Sequence, residues 1–282
     1  MDKELSSQVG RMFVDLNRQS AASALPEPGA LSSLLSQSVV ESSATTIVSA
    51  KPKLLTHFAT AAVEMWLRSV HSFLISASLT DASPILSSVA GYYSSHYSIR
   101  AFAHLFWAFQ LHRRKRIVYL DKEGGHLVIR IERKHGGDGE HRFYWKYVSE
   151  HPQLAADPFF YAFRDDIPTS DGGHRTKANY VDHIDRFPVF LPLSAEFLER
   201  RIERISTVEF SDIPVPRADD FPDTVNVQFV AYHRIVKFRR LLDEILGSKN
   251  RFWKVQRNPS WCPAAMNFSV VDPVFAALYA GR

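Results

Sequence analysis

Apolar residues recur every three or four positions along "KLLTHFATAAVEMWLRSVHSFLISASL", residues 53 to 79. Leu55, Phe58, Ala62, Met65, Trp66, Ser69 and Phe73 fall on one side of a helix, so the spacing predicts the first long helix. Residues 81 to 84 interrupt it, and Pro84 suits the first turn of a following helix capped by Ser83 or Asp81. That second helix is expected from about Ile85 to Leu111 and carries "GYYSSHYSIRAFAHLFWAF". Two long helices joined by a short Ser/Pro turn predict an antiparallel hairpin.

The period then changes to two. "RIVYLD", "HLVIRIERK" and "HRFYWKYVS" alternate, and the joints "KEGG" and "HGGDGE" supply turn glycines. This predicts a three-stranded antiparallel meander from Arg116 to Val148, with Leu127, Ile129 and Ile131 on one face and Val128, Arg130 and Glu132 on the other. Helical spacing returns in "LSAEFLERRIERIS" (193–206, Ser194 at its N-cap) and in "TVNVQFVAYHRIVKFRRLLDEILG" (224–247), closed by Gly247. Between them, residues 150 to 192 are rich in Pro, Asp and Gly. They predict short helices and loops, with one helix around Lys177 to Asp185. The tail "NFSVVDPVFAALYAG" ends in a short apolar helix.

Residues 1 to 50 read as a Ser/Ala-rich N-terminal extension. Met12, Phe13 and Leu16 have the spacing of a short amphipathic helix, and Leu31, Leu34, Leu35 and Val39 of another. The fold class that follows is mainly α: a helical bundle with an inserted three-stranded antiparallel β-meander at about 116–148 (α+β). Residues 51 to 282 are expected to form a single domain, since no clean linker divides them.

Composition adds little that is specific. A chain of 282 residues, 45% hydrophobic and 23% charged, is an ordinary globular protein with ample core material. A net charge of +4 and a pI of about 9.1 permit contact with nucleic acid without demanding it. The one cysteine, Cys262, excludes an internal disulfide and suits a reducing cytosol. No apolar run reaches the ~18 residues of a membrane helix, and the start lacks a secretory h-region, so a cytoplasmic, membrane-free protein is expected. Phosphate-loop, dinucleotide, nucleophile-elbow, C-x-x-C and H-E-x-x-H signatures are all missing.

Three clusters carry candidate chemistry. At 3.6 residues per turn, Tyr93, Tyr97, Arg100 and His104 share a stripe, with His96 on the adjacent one. An arginine fork can hold a phosphate and a histidine one turn away can move its proton, which suits binding or cleaving a phosphodiester; the plain alternative is a set of half-buried helix residues. The second cluster is "DGGHRTKANYVDHIDRF" (171–187), with Arg175 and Asn179 as binding candidates and His183 as an acid/base candidate oriented by Asp182 or Asp185; its alternative is a solvated loop. The third is basic: Arg113, Arg114 and Arg116 close the second helix. They either complement its dipole or extend a nucleic-acid surface toward Arg130, Lys134 and Lys146. His126, His135, His141 and His151 lack metal-ligand spacing, so no metal and no cofactor is expected.

"ILSSVAGYYSSHYSIRAFAHLF" resembles the second helix of HEPN-like domains, in which an aromatic pair precedes small residues, a basic residue and an apolar run. The chain is also similar to YaaC-like bacterial proteins in its Pro-initiated, Tyr-rich helix followed by a basic segment. The resemblance covers about 60 residues, Lys53 to Arg116. It implies a helical, dimeric fold and an RNA-directed role, either binding or ribonuclease. HEPN ribonucleases usually separate their Arg and His by four to six residues. Three residues separate Arg100 from His104 and seven separate Arg175 from His183, so the resemblance speaks for the fold more than for cleavage. Three functions stay open: an RNA-directed module led by Arg100 and His104, a non-catalytic dimeric interaction protein, and an enzyme of another class using the 171–187 loop.

Overall fold

The computed structural model describes residues 3–18, 30–40, 46–48, 53–79, 83–111, 116–123, 126–133, 140–154, 160 and 224–262. They are mainly helical with one small antiparallel sheet. In chain order they form α1 (Lys3–Arg18), α2 (Ala30–Val40), β1 (Thr46–Val48), α3 (Lys53–Leu79), α4 (Pro84–Leu105), β2 (Ala108–Leu111), β3 (Arg116–Glu123), β4 (His126–Arg133), α5 (Glu140–Ser149), α6 (Thr224–Leu246) and α7 (Arg251–Gln256). The helices expected at 177–185, at 193–206 and in the tail lie outside the described residues. None of the described helices is long and apolar enough to cross a membrane.

α3 keeps the expected bounds, and Pro84 opens α4 behind Ser83, whose carbonyl accepts from Ser87 N–H at 2.9 Å. α6 ends before Gly247, whose φ of 61° is the left-handed closure that glycine adopts without strain.

The chain divides into two compact units, each discontinuous in sequence. One contains residues 1–65, 99–153 and 241–257, and with them the sheet, whose strand order is β1-β4-β3-β2 and whose pairings are all antiparallel. Ile129 and Ile131 are buried while Arg130 and Glu132 are exposed, as expected of β4, but Val128, expected on the outward face, is buried too. α1 buries Leu5, Val9, Met12, Phe13 and Leu16 in this unit. At about 1.5–3 kcal/mol for each fully buried large side chain, this face ties α1 to the unit.

Two expectations for the sheet are corrected. The segment read as its third strand is helix α5. "HRFYWKYV" alternates as Phe143, Trp145 and Tyr147, but it also places Phe143, Tyr144, Tyr147 and Val148 at helical spacing. Burial of adjacent Phe143, Tyr144 and Trp145 is what a helix face gives and a half-buried strand does not. The second long helix stops at Leu105, six residues early, and its expected end is β2, paired Ala108↔Tyr119 through Leu111↔Arg116. The sheet therefore recruits β1 and β2 from segments read as extension and as helix.

The second unit contains residues 66–98, 154–240 and 258–282. Here α3 and α4 are joined by small polar residues. Ser69 Oγ donates to Ser94 O at 2.7 Å and Ser94 Oγ donates back to Ser69 O at 2.8 Å. Two turns along, Ser76 and Ser87 repeat the exchange at 2.7 and 2.6 Å. The reciprocal pairs make the helices antiparallel and set their register. Gln228 of α6 closes the seam, donating through Nε2 to both Ser76 Oγ and Ser87 Oγ at 3.0 Å.

Register then decides which sides are wet. Antiparallel helices are related by a two-fold axis normal to their common plane, so residues offset equally from paired serines share a side. The residues just after them, Val70 with Ser95 and Ala77 with Ser88, are all buried. The residues just before them, Arg68 with Tyr93 and Ile75 with Leu86, are exposed or half-exposed. α6 packs in the same unit: Tyr232 lies 5.4 Å from the Phe73 ring, and Trp66 Nε1 donates to Ile235 O at 3.0 Å.

Candidate functional site

The corner where α4 becomes β2 holds two of the polar residues singled out in the sequence, Arg100 and His104. Phe106 and Trp107 make the turn, and Trp107 has a φ of 67°. A left-handed backbone costs a non-glycine residue roughly 1–2 kcal/mol, so the corner must be held by its surroundings. His104 holds it from within: Nδ1–H donates to the Ala108 carbonyl at 3.0 Å. Trp107 N–H donates to His104 O at 3.1 Å, Leu120 N–H to Trp107 O at 2.9 Å, and Tyr147 O–H to Phe106 O at 2.8 Å.

The His104 ring is 1% exposed. It lies 5.1 Å from Phe109 in a stack and edge-on to Tyr144 and Phe58 at 5.8 and 6.4 Å. Burial first and the Arg100 charge second bring its pKa down to about 3, against the bond to Ala108, which raises it. At neutral pH this imidazole is uncharged, with its Nδ1 proton committed to a backbone carbonyl. A general acid or base needs a pKa near the working pH and access to its substrate. His104 has neither in this setting and serves the turn.

Arg100 is half-buried and places its guanidinium carbon 5.2 Å from the centroid of Tyr144. Such a cation–π contact is worth about 0.5–2 kcal/mol. Tyr144 in turn accepts from the Gln110 backbone N–H at 3.0 Å, so its phenol covers an edge donor of β2. The Gln110 side chain is buried, and neither end of its amide meets a hydrogen-bonding partner among the described residues. Gln110 is not a sequence candidate because it reads as the end of a helix, whereas Tyr144, expected on a strand as a stacking face, stands on α5.

Tyr93, Tyr97, Arg100 and His104 all stand on α4, which passes through both units. The first two belong to one unit and the last two to the other. Tyr93 and Tyr97 are half-exposed with ring centroids 6.1 Å apart. His96 is buried and stacks on Tyr92 at 6.4 Å with 4° between planes. Arg175, Asn179 and His183 lie outside the described residues, as do Arg113 and Arg114, so the structure says nothing of the 171–187 loop or of a cleft shared with Arg100 and His104. Arg116 opens β3, opposite Leu111.

The structure also buries further polar groups, of which Arg234 and His233 are not among the sequence candidates. Arg234 of α6 is fully buried, with its guanidinium carbon 5.7 Å from the Phe160 ring, and burial lowers the pKa of its neighbour His233 to about 3. The signal was available, because Val227, Ala231, Ile235 and Phe238 surround both residues at helical spacing. His151 stacks on Phe106 with centroids 3.6 Å apart, and burial lowers its pKa to about 4. The Cys262 thiol is pushed up to about 11 by burial, away from nucleophilic chemistry. Among the described residues no group of three or more His, Cys, Asp or Glu side chains is arranged to hold a metal ion.

Compared with protein-family models, with curated proteins and with solved structures, the chain matches none.

Proposed function

We propose that this protein is a non-catalytic interaction protein that self-associates through the outward side of the α3–α4 hairpin. One observation carries the reading: Ile75 and Leu86, 39% and 56% exposed, stand on the same side of a hairpin whose register the serine pairs set. Large apolar side chains exposed together mark contact surfaces. Tyr93, Tyr97 and Arg68 continue this side, and Tyr and Arg are the residue types that anchor interfaces. Helix faces of this kind commonly meet their own copy about a two-fold axis. The HEPN-like resemblance carries the same expectation of a dimer. The setting of His104 weighs against a ribonuclease built on Arg100 and His104.

A second reading has its own support. Two half-exposed phenols one turn apart, with Arg68 on the same side, form a stacking platform suited to single-stranded RNA. Analytical ultracentrifugation separates the two readings. Self-association predicts a wild-type dimer that becomes monomeric in Leu86→Glu and Ile75→Glu, with the thermal midpoint little changed. A wild-type protein that stays monomeric at high micromolar concentration sinks it. If Tyr93→Ala and Tyr97→Ala lose binding to an RNA oligomer while Leu86→Glu keeps it, the second reading replaces the first.

A further inference from the structure

The seam between α1 and α7 lies within one unit and plays no part in the function proposed above. Phe13 and Phe252 approach to 6.1 Å between ring centroids, and Asn17 Oδ1 accepts from Arg251 N–H at 2.8 Å. Together they set the rotation of each helix. On α1, Arg11, Val14 and Arg18 recur at three and four and share the outward stripe. Val14 follows Phe13 and flanks the seam at 43% exposure. On α7, Val255 lies one turn from Arg251 and next to Lys254, flanking the seam from the other side at 51% exposure. Phe252, the half-buried ring of the seam, has Val255 one turn along α7. The two helices of the seam therefore offer three apolar side chains, Val14, Phe252 and Val255, together with the cations Arg11, Arg18, Arg251 and Lys254.

The charge is one-signed on the α7 side. Residues 247 to 258 hold Lys249, Arg251, Lys254 and Arg257 and no acid. Arg257 is engaged by Asp243 at 3.1 Å, and that carboxylate also takes the Trp253 indole N–H at 2.7 Å. Lys249, Arg251 and Lys254 are exposed and have no ion-pair partner among the described residues. Arg11 turns its Nε–H to its own helix, to Ser7 O at 3.2 Å, and Arg18 meets Asp15 only at 4.0 Å. An exposed pair of that length contributes little. Glu4 and Glu244 are the other exposed acids on α1 and at the end of α6.

We propose that the α1–α7 seam docks an acidic amphipathic helix of a partner protein. The three apolar side chains would take the partner's i, i+4 and i+7 side chains, and the cations would meet its carboxylates. Charge complementarity and the apolar side chains together select this occupant. A phosphate backbone would satisfy the cations but leave the apolar side chains wet. A bilayer anchor requires a long helix with a broad apolar face, whereas α7 has six residues.

The test uses the full chain and a labelled helical peptide with leucine at i, i+4 and i+7 and glutamate elsewhere, read by fluorescence anisotropy. Saturable binding is expected. It should weaken at least about tenfold in the Arg251→Glu/Lys254→Glu variant, and again in Val14→Asp and in Val255→Asp. The charge-reversed peptide should not bind, and added salt should weaken binding in the wild type more than in the double-charge variant. Variants whose circular dichroism matches the wild type but whose affinity is unchanged would overturn the proposal. So would the lack of saturable binding, or tighter capture by phosphatidylserine vesicles or polyuridylate than by the peptide.

Discussion

Replacing His104 by phenylalanine separates two contributions of its ring. The variant keeps an aromatic ring among Phe58, Phe109 and Tyr144 but removes the Nδ1–H that the Ala108 carbonyl accepts. A buried acceptor deprived of its donor costs about 1–3 kcal/mol, so at pH 7 the variant should be less stable by that amount. The pH dependence runs the other way. The folded pKa is depressed from 6.5 to about 3, so the unfolded chain takes up the proton first. Stability contributed by the neutral ring is therefore fully present above about pH 6.5 and is lost as the pH falls toward about 3. At pH 5 the wild type has given up about 2 kcal/mol through this group, a loss that phenylalanine does not suffer. His151 and His233 shift in the same direction, but they are present in both proteins and cancel in the difference. Urea unfolding at pH 7, 6 and 5, followed by tryptophan fluorescence, should show the gap between the two proteins closing to nearly nothing by pH 5. A gap that stays constant over this range would mean that His104 titrates in the folded protein as it does in water. The sealed-core argument would then be wrong, and an acid–base role for Arg100 and His104 would again be tenable.

Three further outcomes follow from the same geometry. Tyr144→Phe keeps the ring under Arg100 but strips the acceptor from the Gln110 N–H; a loss of about 1–3 kcal/mol is expected, and hydrogen exchange at the Gln110 amide should speed up more than elsewhere in β2. Gly91→Ala would bring a methyl group to 2.7 Å from Val227 Cγ1 and 3.1 Å from Ser76 Oγ. Overpacking of about 1–3 kcal/mol should exceed the ~1 kcal/mol helix-propensity gain, and Val227→Ala in the same chain should relieve it in a double-mutant cycle. Ser76→Ala breaks the exchange with Ser87 and removes one acceptor of Gln228; a drop of about 1–3 kcal/mol in chemical unfolding is expected, and Ser78→Ala, at an exposed serine on the same helix, should change little.

Local periodicity carried much of the fold. α3 is legible because its apolar positions repeat over many turns, and α4 begins at Pro84 because proline suits a first turn and little else in a helix. The same logic failed where one string fits two periods. "HRFYWKYV" alternates as a strand and also repeats as a helix, and the packing of Phe143, Tyr144 and Val148 decided for the helix. The end of α4 could not be read either. Nothing in "AHLFWAFQL" marks Trp107 as a left-handed turn; the bonds from His104, Leu120 and Tyr147 make it one, and two of those partners are distant in sequence.

The candidate site divides along the same line. Composition and spacing singled out Arg100, His104, Tyr93 and Tyr97 as polar residues on a core helix. Whether such a histidine is a proton shuttle or a clamp depends on its burial and on the carbonyl it meets, and both are properties of the assembled unit. Spacing puts Ser69 on the apolar side of α3, but only the structure shows the reciprocal serine pairing that sets the hairpin register and with it the side on which Ile75 and Leu86 are exposed. The sequence by its own periodicity determined where the long helices run, because that information is local. The ends of those helices, the strands that complete the sheet and the state of His104 were decided by contacts between residues far apart in the chain, which only the tertiary structure brings together.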